Sequence, residues 1–229
     1  MSAGVGVWKP SDRVGHSRQQ TSTRHSLAAP LLAPLTSLVR QVFFSGAEKR
    51  SRVLFVAAGE ETNIHTFCEQ TATVLSEVSG SNVAVVRTSV SNSDSNDTPC
   101  PKKRPTGVTE TRFWRTYSTP ISERLCRLPS WLFAHDGQDG KARDCESAGP
   151  SELQGVFEYF VFGATITDAE APLFTSLCDA AVLVVTADRT RRESALQAKQ
   201  QLLQYNIPLL GAVLTDRILP IPEGIYRHL

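Results

Sequence analysis

Short, continuous apolar runs recur along this sequence, and they restrict the folds open to it more than any other feature. Each run is as long as a strand and rich in Val, Leu or Phe, which is typical of strands buried on both faces of a parallel sheet. The runs lie at 52–58, 82–86, 157–162, 180–186 and 209–214. Apolar residues at helical spacing lie between them at 63–78, 169–177 and 190–204. This alternation predicts an α/β fold, a doubly wound and mostly parallel sheet with helices on both faces.

The first part of the chain differs from the rest in composition. Residues 1–25 carry few large apolar side chains, so burial cannot offset the entropy of ordering them. Only Asp12 and Glu48 oppose the many cations of the first 52 residues. We therefore predict a disordered basic arm over 1–34, which is either simply solvated or in contact with an anionic membrane surface or an acidic partner. Apolar spacing over 34–44 predicts a short amphipathic helix that docks on a domain spanning 35–229.

Two polar stretches interrupt the predicted domain. Residues near 89–107 and 135–150 are rich in turn-forming residues and are predicted to be loop excursions outside the core. Between them, the run at 128–134 predicts an inner strand, and 151–155 predicts a short helix. The sequence Thr190-Arg-Arg-Glu193 predicts a capping box at the start of the last helix, because a Thr hydroxyl and a Glu carboxylate at this spacing can cap each other's backbone amides.

Charge and cysteine usage exclude several function classes. The formal net charge is +1, which removes the bulk electrostatic argument for specific nucleic-acid binding. Five cysteines without a Cys-x-x-Cys pair argue against a disulfide framework or a structural zinc site and favour the reducing cytoplasm. The apolar stretch 27–44 contains two prolines and Arg40, so it falls short of the roughly 18 apolar residues of a membrane span.

The turn after the first predicted strand is where a phosphate-binding loop would lie. Such a loop needs glycines that expose backbone amides, a lysine, and a hydroxyl for Mg²⁺. Only Gly59 and the hydroxyls of Thr62 and Thr66 meet these needs. Glu60 and Glu61 place carboxylates at a helix N-terminus, where they oppose a nucleotide polyphosphate. We therefore predict that the protein's own carboxylates occupy the place that a phosphate would take in this loop.

Framework motifs in a fixed order give the sequence a family resemblance. They are Val42-Phe-Phe-Ser45, Phe157-Glu-Tyr-Phe-Val-Phe162, Ala180-Ala-Val-Leu-Val-Val185, Thr190-Arg-Arg-Glu193, Gly211-Ala-Val-Leu214, Pro220-Ile-Pro222 and Tyr226-Arg227. From about residue 38 onward the chain resembles the cytoplasmic P-loop domain of bacterial capsular and exopolysaccharide tyrosine kinases, which are relatives of chromosome-partitioning and septum-site ATPases. The resemblance implies the same P-loop NTPase-like fold.

The catalytic motifs of that family are altered here. Residues 63–65 (Asn-Ile-His) stand where the resemblance implies Gly-Lys-Ser/Thr. Arg87 stands where it implies a metal-binding Asp, and a cation cannot bind Mg²⁺. Residues 163–166 (Gly-Ala-Thr-Ile) replace Asp-x-Pro-Pro. Asp168 either compensates for that loss or caps the following helix.

The resemblance implies a regulatory role without catalysis. The four tyrosines form no cluster that could serve as the family's autophosphorylation substrate, and they are Tyr117, Tyr159, Tyr205 and Tyr226. We interpret the chain as a catalytically inactive regulatory or scaffolding domain in surface-polysaccharide biosynthesis, with no catalytic residues, metal or cofactor. By resemblance, its partner is the cytoplasmic segment of a membrane polysaccharide chain-length or export protein, or an active kinase paralogue. It would then lie in the cytoplasm at the inner membrane, and self-association is a further expectation.

Two other interpretations stay open. The first is an ATP-dependent tyrosine kinase or ATPase with an atypical loop and Mg²⁺. Its nucleotide would contact Gly59, Thr62, Asn63, His65, Thr66 and Asp168. The second is a small-molecule or unrelated protein-binding module built on the same fold.

Overall fold

A computed structural model describes residues 29–46, 49–88, 115–133, 153 and 155–216. Within them the helices are α1 (Ala29–Val39), α2 (Ile64–Ser79), α3 (Ala171–Leu177) and α4 (Arg192–Gln204). The strands are β1 (Arg52–Ala57), β2 (Val83–Arg87), β3 (Thr119–Pro120), β4 (Leu125–Pro129), β5 (Tyr159–Thr165), β6 (Ala180–Thr186) and β7 (Leu209–Thr215). They form one sheet in the order β3-β4-β2-β5-β1-β6-β7, in which only the β3–β4 pair is antiparallel.

Strand β1 lies between β5 and β6 and is hydrogen-bonded along both edges. Its residues from Val53 to Ala57 have no exposed surface. A strand covered on both faces has no solvent side, so it reads as a continuous apolar run without alternation. The prediction of a buried parallel strand at this position is confirmed.

Helices cover both faces of the sheet, as the sequence predicts. On one face, α1 and α2 pack over side chains that include Phe55 and Val85. On the other face, α3 and α4 pack over a cluster that contains Phe160 and Phe162. Ring contacts join several of these aromatic side chains, with Phe162 against Phe174 at 5.2 Å between ring centroids. The molecule is therefore a doubly wound, mostly parallel α/β domain.

The first helix begins earlier than its sequence pattern predicts. Helix α1 starts at Ala29 and contains Pro34, whereas the apolar spacing predicts a helix over 34–44. One π-helical turn, Arg40–Phe44, extends it. Its predicted apolar face is confirmed, because Leu35, Val39, Val42 and Phe43 are buried against the sheet. Residues 1–28 of the predicted basic arm lie outside the described residues.

Helix α2 has the boundaries that its sequence predicts. The Asn63 side chain accepts a hydrogen bond from the Thr66 amide at 3.1 Å and caps the amino end. Gly80 ends the helix with φ at +67°, a left-handed conformation that favours glycine. Both ends are set by local side-chain and backbone chemistry, so they could be found without knowledge of the tertiary structure.

The middle of the domain differs from the prediction. The inner strand is β4 (Leu125–Pro129), and Ser130–Phe133 form a 3₁₀ turn, so a strand at 128–134 was wrong. The apolar pattern failed because the strand contains Arg127, which faces α2 and binds Glu69 there. The excursions near 89–107 and 135–150 lie outside the described residues. Of the predicted helix at 151–155, Leu153 is helical and buried.

Strand β5 extends three residues beyond its predicted end at Phe162 and includes Gly163, Ala164 and Thr165. Gly163 faces α2 so closely that a Cβ atom there would lie 2.8 Å from the Cys68 Sγ atom. Cys68 is fully buried, and burial raises the pKa of its thiol well above the ordinary value of 9.0. A buried neutral thiol thus occupies the space that a side chain at position 163 would need.

Replacing Gly163 by Ala is expected to destabilise the domain by about 1–3 kcal/mol, because the added methyl group overpacks a closed core. Chemical denaturation of the purified chain measures this change. Gly155→Ala is the matched control, since a Cβ atom there meets nothing within 4 Å. Adding Cys68→Ala to Gly163→Ala should recover part of the lost stability. Equal effects of the two glycine substitutions would contradict this packing argument.

Candidate functional site

The carboxyl ends of the parallel strands meet at one edge of the sheet, which we call the rim. Open α/β sheets bind their ligands at this edge. The turn after β1 brings Gly59 and Thr62 to the rim, and α2 begins directly after that turn. The segments that follow β5, β6 and β7 add Asp168, Thr190 and Asp216 to the same edge. The described part of the chain contains no group of three or more His, Cys, Asp or Glu side chains that could hold a metal ion.

A carboxylate of the protein lies inside the turn after β1. The Glu61 side chain covers Gly59 so closely that a Cβ atom on Gly59 would meet the Glu61 Oε2 atom at 2.3 Å. Hydrogen bonding to the Thr190 side chain, and to a lesser extent to the backbone of Glu61 itself, acts on this carboxylate. These bonds, in that order of importance, hold the pKa of Glu61 below its ordinary value of 4.5. An exposed, negatively charged carboxylate therefore lies over the glycine of the turn.

Threonine hydroxyls join this turn to the next strands of the sheet. The buried Thr62 hydroxyl lies 2.8 Å from the Thr186 hydroxyl at the end of β6. The Thr186 hydroxyl is in turn 3.4 Å from that of Thr215 at the end of β7. The Thr186 amide donates to the Thr190 hydroxyl at 3.0 Å. The Thr62 hydroxyl, a candidate nucleotide contact in the enzyme interpretation, is thus engaged with the sheet.

The predicted residues at the start of α2 have separate structural settings. Asn63 is exposed and caps the helix with its side-chain oxygen. His65 is partly buried on the first turn of α2, and the Thr66 side chain is exposed there. Ile64, which stands where the resemblance implies a lysine, is 2% exposed and packs in the apolar cluster beneath α2. A lysine at that position would place its ammonium group in the core.

Asp168 does not cap helix α3, which corrects one of its two predicted roles. The helix begins at Ala171, and the residue before it, Glu170, makes no side-chain cap. The Asp168 Oδ2 atom instead accepts hydrogen bonds from the Thr165 amide at 2.6 Å and the Thr88 hydroxyl at 3.0 Å. Asp168 therefore ties the end of β5 to the residue that follows β2. Sequence reasoning missed Thr88, which carries no motif of its own.

The predicted capping box at the start of α4 was also wrong. The N-cap is Arg191, and its side chain makes no capping bond. Thr190 directs its hydroxyl away from α4, accepting from the Thr186 amide and donating to Glu61. A bond to a charged carboxylate is stronger than one between neutral groups, which explains why Thr190 joins the rim and not the helix.

Arg87 is the last residue of β2, one position beyond the predicted end of that strand at Val86. Its charge is neutralised in part by Glu69 of α2. The Arg87 Nη1 atom lies 3.9 Å from the Glu69 Oε1 atom. Arg127 of β4 binds the same oxygen through Nε at 2.8 Å and through Nη2. Glu69 thus bridges two arginines on the α2 face of the sheet, and sequence spacing alone did not identify it.

Comparison with solved structures finds similar folds among tyrosine-kinase domains. The kinase domain of Escherichia coli tyrosine kinase ETK is 10% identical, with a TM-score of 0.54, and the alignment covers 84% of this chain and 80% of that one. The chimerical protein CapA2B2 is 13% identical at a TM-score of 0.53, covering 83% and 86%. The BceF tyrosine kinase domain is 13% identical at 0.51, covering 80% and 76%. At these identities the likeness shows the fold, which is the predicted P-loop NTPase-like one.

The other comparisons find no match. No protein-family model matches this sequence, and no curated protein matches it. Among the described residues, no helix is long and apolar enough to span a membrane.

Replacing Thr190 by Val should raise the pKa of Glu61 toward 4.5, because the largest cause of its depression is the hydrogen bond from that hydroxyl. Titration of the Glu61 side-chain carboxyl by NMR measures the change. A carboxylate with a depressed folded-state pKa contributes stability above its unfolded pKa and loses that contribution as the pH falls through the folded pKa. The variant should therefore lose less stability than the native chain on acidification below about pH 4.5.

Thr66→Val is the control for this titration, since it removes an exposed hydroxyl from the adjoining helical turn. It should leave the pKa of Glu61 unchanged. An unaltered Glu61 titration in Thr190→Val would show that this hydroxyl does not hold the carboxylate.

Proposed function

We propose that this chain is a catalytically inactive P-loop-derived domain that acts by binding a protein partner in surface-polysaccharide assembly. The observation that carries the proposal is the Glu61 carboxylate held over Gly59 by the Thr190 hydroxyl. A phosphate-binding turn presents positive potential and free amides to its anion. Here the turn already carries a negative charge, so a nucleotide polyphosphate would meet repulsion. We expect no nucleotide cofactor and no metal.

Two further features support the absence of catalysis. The residue in the lysine position is Ile64, whose side chain is buried in the core, so a small shift cannot supply the missing cation. Within β5, Gly163 leaves no space for an acidic side chain because of Cys68. Phosphoryl transfer depends on positioned cations and metal ions around the phosphates. In this proposal, the absence of catalysis is thus a consequence of how the core is packed at both positions.

The proposed partner follows from the family resemblance and from the fold shared with tyrosine-kinase domains. Such a partner would be the cytoplasmic segment of a membrane polysaccharide chain-length or export protein, or an active kinase paralogue. The domain would then act in the cytoplasm, peripheral to the inner membrane. The basic residues of the arm are a candidate contact, since they favour acidic segments and anionic surfaces.

A second candidate is an ATP-dependent tyrosine kinase or ATPase that binds nucleotide and Mg²⁺ with an altered loop. The exposed Thr66 side chain on the first turn of α2 and the Asp168 carboxylate near the end of β5 favour it, because both groups lie at the ligand-binding edge of the sheet. In this case Glu61 would have to leave Gly59 before the phosphates could enter.

Calorimetric titration with ATP and ADP, with and without Mg²⁺, separates the two candidates. For the native chain we expect no binding up to millimolar nucleotide, because Glu61 occupies the turn. Cooperative thermal unfolding of the same sample verifies that it is folded. Micromolar affinity that is lost in Asp168→Asn, with Thr36→Val on α1 as a remote control, would overturn the inactive-domain proposal and favour the enzyme.

A further inference from the structure

Arg87 lies at the rim and has no polar side chain beside it on the neighbouring strands. It is the last residue of β2, opposite Pro129 of β4 and Gly163 of β5. Its side chain approaches Glu69 of α2 and is 21% exposed. A largely enclosed guanidinium thus has a small opening at the edge where open α/β sheets bind their ligands.

The Arg87 guanidinium has donors that the described residues do not satisfy. Its Nη1 atom is 3.9 Å from the Glu69 Oε1 atom, which is an ion-pair distance but too long for a hydrogen bond. Within the described part of the chain, its side chain makes this ion pair and no hydrogen bond. Arginine carries several N–H donors in a fixed fork, and buried polar groups are normally hydrogen-bonded. The Arg87 side chain therefore lacks an acceptor that its burial would normally require.

Glu69 does not serve as that acceptor because it binds Arg127. Its Oε1 atom accepts hydrogen bonds from the Arg127 Nε atom at 2.8 Å and from Nη2. One carboxylate thus faces two guanidinium groups, which leaves an excess of one positive charge in this arginine cluster of Arg87, Arg127 and Glu69. All three side chains are less than a third exposed, so solvent screens this charge less than it would at the surface.

The chemistry of the arginine cluster selects its ligand. A guanidinium fork binds a planar carboxylate through two parallel N–H···O bonds. The excess of one positive charge matches the single negative charge of a carboxylate, whereas a phosphate dianion would exceed it. The ligand chemistry that fits is therefore one carboxylate group.

We propose that the arginine cluster is a carboxylate-binding site at the rim, filled by a small organic acid or by an acidic side chain of a partner protein. Arg87 makes the bidentate contact, and Arg127 adds positive charge from a position that Glu69 holds. The site goes beyond the proposed function and does not depend on it, since it lies on β2 and β4 and not in the turn after β1. Nucleotide titration therefore does not decide it.

The arginine Nε–Hε resonances of the full chain, followed by NMR, report binding directly. Acetate replaces chloride at constant ionic strength. The Arg87 resonance should shift to saturation, with half of the change reached by about 10 mM acetate, because charge-assisted hydrogen bonds in an enclosed site are stronger than those at the surface. The exposed Arg124, just before β4 at the opposite edge of the sheet, is the internal reference and should shift without saturating.

Arg87→Gln should weaken acetate binding at least about tenfold, measured at the Arg127 resonance, because it removes the charged fork. Arg87→Lys keeps the charge but not the fork, so its affinity should lie between those of the native chain and Arg87→Gln. Arg124→Gln is the matched control and should leave the affinity unchanged. Cooperative thermal unfolding verifies that each variant is folded, and the native titration stands independently of them.

A hexaglutamate peptide distinguishes the two sources of the carboxylate. Binding at least about tenfold tighter than that of acetate would assign the site to an acidic protein segment, because neighbouring carboxylates raise the local ligand concentration. Equal affinities would assign it to a small acid. Either result supports the site.

Two results overturn the proposal. One is an Arg87 shift that rises linearly with acetate and matches that of Arg124, which would show an ordinary solvated guanidinium. The other is an equal acetate affinity of the native chain and a folded Arg87→Gln variant.

Discussion

The burial of β1 between two parallel neighbours is the constraint on which the remaining structure depends. It fixes the direction of β5 and β6, and with them the edge at which all the connecting turns meet. The amino end is held by Asp179, which accepts hydrogen bonds from the Ser51 and Arg52 amides, each at 2.9 Å. Partial burial alone would raise the pKa of Asp179, but these amides and the Arg52 guanidinium lower it below 3.8. The turn at the other end of β1 therefore starts from a rigid position.

The sequence predicted the fold wherever one physical pattern dominated a segment. The buried central strands are continuous apolar runs, and α2 has strong caps at both ends, so both could be located from local chemistry. Strand β4 was misplaced because its Arg127 is compensated by Glu69 of α2, a tertiary contact that no local pattern reveals. The start of α1 was missed because Pro34 lies inside the helix and was taken as its beginning.

In the candidate site, too, features set by local chemistry were predicted and features set by tertiary contacts were not. That Glu60 and Glu61 oppose an anion followed from their charge, but their individual positions did not. Glu61 is held by Thr190, which is distant in sequence and had been assigned to a capping box. Asp168 likewise accepts hydrogen bonds from the Thr165 amide and the Thr88 hydroxyl and does not cap the nearby helix α3. When a side chain has two possible hydrogen-bond partners, the tertiary structure determines which of them it binds. The roles of such residues were therefore the least predictable from the sequence.

The contact between Gly163 and Cys68 also determines the order in which these two positions can be substituted. An acidic side chain cannot be introduced at position 163 while the sulfur of Cys68 occupies the space above it. A smaller residue at position 68 has to come first, and that change alone leaves a cavity in a closed core. A stepwise path of single substitutions from this chain to a form with an aspartate at position 163 therefore passes through a less stable intermediate. The packing of the core beneath the rim, and not only the rim residues, therefore restricts which side chains the site can acquire.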